Sequence, residues 1–117
     1  GVIVASPTGS TAYNLAAGGP VLHPEMDAMV LNPICPFTLS NRPLVVPGSE
    51  HIDVLVEETK RTGVMLTVDG QETFILQADD RVSFTHSDRR ALIYTPEYLG
   101  FYEVLREKLN WSGGPHA

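Results

Sequence analysis

The sequence predicts a mainly β domain with short helices. Three observations predict it. Apolar residues alternate with polar ones at Ile52, Val54 and Val56, at Val64, Leu66 and Val68, and at Val82 and Phe84, the period of two that gives a strand one apolar face. Asp69-Gly70 stands between the second run and the apolar stretch at 73–76, a strong hairpin signal because glycine tolerates positive φ. Prolines at 24, 33, 36, 43 and 47 exclude a long helix across the first half.

Taken in order, Val2-Ile3-Val4-Ala5 reads as an opening strand and Ser6 to Thr11 as a loop of turn formers and hydroxyls. The better helix formers at 12–17 read as a short helix, stopped by Gly18-Gly19-Pro20. The proline-rich stretch reads as extended segments broken by turns or held at sheet edges. Asp79-Asp80 and Asp88-Arg89 mark further turns. Thr95-Pro96-Glu97 offers an N-cap, a proline for the first helical position and an acidic first turn. Phe101, Leu105 and Leu109 follow at helical spacing, so a terminal amphipathic helix is expected. The tail at 112–117 is polar and reads as mobile.

With 117 residues and 43% hydrophobic content, the chain has material for one modest core, so one domain over 1–117 is expected. Eight basic residues against fourteen acidic ones leave a net charge of −6, which disfavours general attraction to nucleic acid or anionic membranes. Any phosphate must be held locally. The single Cys35 has no internal disulfide partner, and no run is apolar and long enough to be a signal peptide or a membrane span, so a reducing, cytoplasmic setting is expected. Gly1 leads directly into an apolar run with no initiator methionine, which reads as a cut edge.

The chemistry concentrates in Pro7-Thr8-Gly9-Ser10-Thr11-Ala12-Tyr13. This string puts a glycine and small hydroxyls at a strand-to-helix junction, where backbone N–H groups and a helix start favour anions or polar ligand groups. It is neither a P-loop nor a Gly-x-Gly-x-x-Gly fingerprint. On these grounds alone, a ligand loop and a well-capped helix with a tight turn stay equally open.

The full string, with Gly18-Gly19-Pro20 behind it, closely resembles the signature of the NAD kinase family. The resemblance continues in order through Pro33-Ile34-Cys35-Pro36, Leu39-Ser40, Arg42 to Pro47, Asp69-Gly70-Gln71 and Leu105 to Leu109, nearly the whole chain. It implies the carboxy-terminal, NAD-binding domain of that fold, a multi-stranded β-sandwich. It also implies transfer of the γ-phosphate of ATP, or of a polyphosphate phosphoryl group, to the adenosine-ribose 2′-hydroxyl of NAD, giving NADP with the help of a divalent cation, usually magnesium. The family's proposed base is an aspartate in a Gly-Gly-Asp-Gly loop of an amino-terminal α/β domain, and an Asn-Glu pair grips the NAD ribose. Neither motif occurs in these residues, so none of them is expected to be catalytic.

Position by position, the resemblance implies cofactor-binding roles for Thr8, Ser10, Thr11, Ala12 and Tyr13, with Thr11 and the Ala12 backbone near an adenine. Ala16 stands where some relatives have serine, which leaves its backbone as the contact. Asp69 and Gly70 approach from the hairpin, and Cys35 approaches a site in a neighbouring subunit of a homodimer or homotetramer.

Simpler readings stand beside these. Tyr13 can pack a helix face, although its place in the signature favours ligand contact. Cys35 lacks the companions of a nucleophile or a metal ligand, and His23, His51, His86 and His116 have no metal-site spacing. Asp69 needs no role beyond its turn, and Glu57-Glu58, Asp79-Asp80 and Arg89-Arg90 read as solvated faces. Two other functions remain as alternatives: a lipid kinase of the diacylglycerol or sphingosine type, against which the full string argues, and a non-catalytic β-sandwich for ligand binding or assembly.

Overall fold

The computed structural model describes residues 1–38, 40–57 and 63–111. Leu39 of the matched strings, Glu58, and the tail at 112–117 with His116 lie outside the described residues. The chain divides into two units, Gly1–His86 and Ser87–Ala117.

Unit one opens with strand β1 (Val2–Ala5), a 3-10 turn (Thr8–Thr11) and a one-turn helix α1 (Tyr13–Ala16). Strand β1 pairs antiparallel with β2 (Ala28–Pro33), whose other edge pairs with β3 (Leu44–Pro47). The extended segments expected among the prolines are β2 and β3. Each ends on a proline, a position that requires no further ladder donor. Alternation along β2 puts Ala28, Val30 and Asn32 on one face, and all three are buried. The core gathers Ala5, Leu22, Ala28 and Val30, with Ile3 against it; full burial of a side chain such as Val30 is worth about 1.5–3 kcal/mol.

The predicted alternating runs form two further antiparallel pairs, β4 (Ile52–Leu55) with β7 (Arg81–Phe84), and β5 (Val64–Val68) with β6 (Glu72–Leu76). The β5–β6 connection has positive φ at both Asp69 (52°) and Gly70 (69°), and the Gln71 N–H bonds the Val68 carbonyl at 3.0 Å, so the expected hairpin forms where the Asp-Gly pair placed it. Beyond β4, the backbone of the buried Val56 bonds Asp79 and Asp80, each at 2.8 Å, and the Asp80 carboxylate accepts the Gln77 N–H at 2.7 Å. The described fold is mostly β with a few short helices, as predicted.

Unit two holds α2 (Phe101–Lys108). This helix starts later than the Thr95-Pro96-Glu97 signal indicates. Residues 96–99 make a separate turn, closed by Leu99 N–H to the Pro96 carbonyl at 3.0 Å. Gly100 is extended (φ −72°, ψ 152°) and interrupts any helix there, and the Glu103 side chain folds over it, filling the space a Cβ would need. The first helical turn therefore belongs to Phe101, with Leu105 as the buried residue of the helix.

On the β4–β7 pair, Asp53 accepts a hydrogen bond from the Ser83 hydroxyl at 2.6 Å, lies 2.8 Å from His51 Nε2, and has Arg81 3.8 Å away. The Ser83 hydrogen bond, then the hydrogen bond and charge of His51, then Arg81, hold its carboxyl below the ordinary value of 3.8. Because the folded value is the lower one, the contribution of Asp53 to stability is complete above 3.8 and is lost as the pH falls through the folded value. Ser83→Ala is expected to bring the Asp53 titration back toward 3.8, read as the carboxyl carbon shift in an NMR titration; an unmoved midpoint would remove Ser83 as the main cause.

Candidate functional site

The signature string occupies the junction between β1 and α1, and its backbone is largely satisfied from within. Gly9 N–H bonds Ser6 Oγ at 3.0 Å, Ser10 N–H bonds the Pro7 carbonyl at 3.2 Å, Ala12 N–H bonds the Gly9 carbonyl at 3.1 Å, and Leu15 N–H bonds the Ala12 carbonyl at 3.1 Å. The junction expected to offer N–H groups to a ligand has directed these four into its own fold. What faces outward is side chain: Tyr13, at 64% exposure, with Thr8 and Ala12 exposed and Thr11 half-buried.

Ser10 goes the other way. It is completely buried; its hydroxyl donates to the Pro7 carbonyl at 2.6 Å and accepts the Leu22 N–H at 2.9 Å. Its side chain therefore ties the loop to the segment after α1.

Behind the loop lies a pair of buried amides that the sequence reading did not single out. Asn14, 1% exposed, donates through Nδ2 to the Ser10 and Pro20 carbonyls, both at 3.0 Å. Asn32, 1% exposed on β2, donates to Asn14 Oδ1 at 3.1 Å, to the Asn14 carbonyl at 3.2 Å and to the Ala17 carbonyl at 3.5 Å. Among the described residues, no buried side-chain nitrogen or oxygen lacks a partner. The signal for Asn32 was present in the alternation, since it is the polar third member of a face that otherwise carries Ala28 and Val30.

The helix stops as Gly18-Gly19 predicted. Gly18 has φ 81°, its N–H bonds the Leu15 carbonyl at 3.0 Å, and the Gly19 N–H bonds the Asn14 carbonyl at 2.8 Å, the paired bonds of a Schellman motif. The Asn14 amide occupies the space where a Cβ on Gly19 would stand. The Asn14 carbonyl thus receives both the Gly19 N–H and Asn32, and helix, cap and sheet meet at one residue.

The remaining expected site residues lie elsewhere in unit one. Ala16 is exposed near the end of α1. Cys35 is exposed with φ 45° in the turn after β2, where Ile34 N–H bonds the Gly1 carbonyl at 2.8 Å. Asp69 and Gly70 form the exposed hairpin tip. His51 pairs with Asp53, His86 lies 3.4 Å from Asp27, and His23 accepts the Glu25 N–H. Among the described residues, no three His, Cys, Asp or Glu side chains gather into a group that could hold a metal.

Fold and loop define the class first: a mainly β domain that presents the Pro-Thr-Gly-Ser-Thr-Ala-Tyr turn between its first strand and a one-turn helix. The family model of the ATP-NAD kinase C-terminal domain matches residues 1–95. The chain is 46% identical over 112 residues to the NAD kinase of Teredinibacter turnerae, a match covering 96% of this chain and 38% of that protein. It is 45% identical over 113 residues to the NAD kinase of Treponema denticola, covering 97% and 40%. Among solved structures, it resembles an NAD kinase from Archaeoglobus fulgidus in complex with ATP (TM-score 0.76, 30% identity, covering 96% of this chain and 41% of that one). It also resembles yeast NADH kinase complexed with NADH (TM-score 0.64, 43% identity, covering 70% and 23%). The chain belongs to the family of ATP-NAD kinase C-terminal domains. It spans 38% and 40% of the two curated relatives described, and the findings favour this family over the lipid kinase alternative.

Removing the Ser10 hydroxyl leaves the buried Leu22 N–H without its acceptor. Ser10→Ala is therefore expected to cost about 1–3 kcal/mol, measured as a lower urea midpoint with an unchanged slope; an unchanged midpoint would mean that water replaces the hydroxyl.

Proposed function

We propose that this chain is the dinucleotide-facing carboxy-terminal domain, over 1–117, of a cytoplasmic NAD kinase, which phosphorylates the adenosine-ribose 2′-hydroxyl of NAD with ATP or polyphosphate to make NADP. The observation that carries the reading is the turn at Thr11, Ala12 and Tyr13, with Ala12 and Tyr13 exposed and Thr11 half-buried, held from beneath by a satisfied polar cluster, in a chain of this family. The yeast relative was solved with NADH and the Archaeoglobus fulgidus relative with ATP, which supports nucleotides as the ligands.

In this reading, Tyr13 and Thr11 contact NAD through their side chains and Ala12 and Ala16 through backbone, with Thr8 at the rim. Ser10 serves the site from inside the loop. Asp69 and Gly70 reach the substrate from the hairpin, and Cys35 approaches the site of a neighbouring subunit. A homodimer or homotetramer, its sheets arranged as a sandwich, is favoured by the apolar hairpin: Met65 (64% exposed) pairs with Ile75 (81%) on one face, while Leu66 pairs with the exposed Phe74 on the other. A two-stranded ribbon is marginal alone and gains by being covered.

A divalent cation belongs to phosphoryl transfer of this kind. The described residues do not fit a metal cradle. Phosphoryl transfer rests on positioning and charge neutralisation. This chain supplies positioning for one substrate and no base, so it is expected to be inactive on its own.

Calorimetric titration of the full-length protein with NAD and NADP should show saturable binding, and this chain alone should bind weakly; a folded full-length protein that binds neither would overturn the reading. In the same protein, Thr11→Val with Tyr13→Ala should raise KM for NAD on the order of tenfold or more with little change in melting temperature. Unchanged kinetics would remove Thr11 and Tyr13 from the site.

A further inference from the structure

We infer that Asn32, on strand β2, is a positioning residue for the dinucleotide: it sets the orientation of α1 through Asn14, and thereby the direction in which Tyr13 leaves the surface. The inference rests on the proposed dinucleotide site and adds to it a residue that does not touch the ligand.

Helix α1 cannot hold its own orientation. It has four residues, its N-cap Ala12 provides no side-chain hydrogen bond, and a single helical turn has no independent stability in water. Something else must fix its rotation about its axis. Successive residues on a helix project about 100° apart, so an Asn14 held inward sends Tyr13 to the outside. Asn14 is held from two sides. Its Nδ2 group is bound by the carbonyls of Ser10 and Pro20, and its Oδ1 and backbone carbonyl receive Asn32.

All three acceptors of Asn32 Nδ2 lie on α1 or its C-cap: the Asn14 carbonyl, Asn14 Oδ1 and the Ala17 carbonyl. Asn32 itself stands on the central strand of its sheet, paired in register with Ile3, and that strand is flanked by β1 and β3. An apolar residue would continue the face of Ala28 and Val30 equally well as core. The amide adds a link from the sheet to a helix too short to align itself.

The test uses the full-length kinase, with NAD and ATP varied separately. Asn32→Leu keeps the branching and the number of heavy atoms and removes the donor; Asn32→Thr is milder and suits a strand. Tyr13→Ala serves as the reference. The expected result is a rise of about tenfold in KM for NAD in Asn32→Leu, a smaller rise in Asn32→Thr, and kcat and KM for ATP unchanged in both. A lower kcat at unchanged KM for NAD, or an equal rise in both Michaelis constants, would reduce Asn32 to a stabilising core residue and overturn the inference. If Asn32→Leu does not fold, Asn32→Thr decides by the same criteria. Should Tyr13→Ala raise KM for NAD while the Asn32 variants leave it alone, the inference fails and the site survives. If Tyr13→Ala also leaves it alone, the site itself fails.

Discussion

The interaction on which the loop and one-turn helix after β1 depend is the hydrogen bonding of two amides buried against each other. A primary amide brings two donors and an acceptor into the interior, and each must find a partner or impose a desolvation cost of about 1–3 kcal/mol. Asn14 and Asn32 meet this demand by binding each other and by binding backbone carbonyls at Ser10, Pro20 and Ala17. Fully satisfied polar networks specify one arrangement, because any displacement leaves several groups unpaired together. The loop, the one-turn helix, its glycine cap and the central strand are joined by that requirement.

The same arrangement sorts the side chains of the signature string into inward and outward ones. Ser10 within the string and Asn14 just after it turn inward and hold the loop together, while Tyr13 above all stands open to solvent. A string that reads as uniformly ligand-facing is therefore two interleaved sets. Three of the backbone N–H groups that local chemistry assigns to an anion, those of Gly9, Ser10 and Ala12, close the loop on itself.

Much of the fold was legible in the residues. Period-two alternation located β4, β5 and β7, the Asp69-Gly70 pair located the hairpin, and Gly18-Gly19 located the end of α1, since each rests on local sterics or on one buried face. The start of α2 was misplaced because Thr95-Pro96-Glu97 has every helix-start feature, while the extended Gly100 interrupts the chain soon afterwards and Glu103 folds over it. The buried amides were missed for a different reason. Asn14 and Asn32 are 18 positions apart in sequence, and nothing local marks an asparagine whose partner is reached only by folding; the alternation of β2 held half the signal and α1 the other half. That Ser10 turns inward was not legible either, because a resemblance names positions without saying which way their side chains turn.

The β5–β6 ribbon has a consequence for how the polypeptide behaves when it is crowded. With Met65 and Ile75 on one side and Phe74 on the other open to solvent, it is a short, sticky two-stranded segment with high β-propensity, the kind that adheres to its own copies when crowded. Sticking of newly made chains through this ribbon is expected to grow with concentration. Overproduction of the chain is expected to meet this hairpin as a point of aggregation.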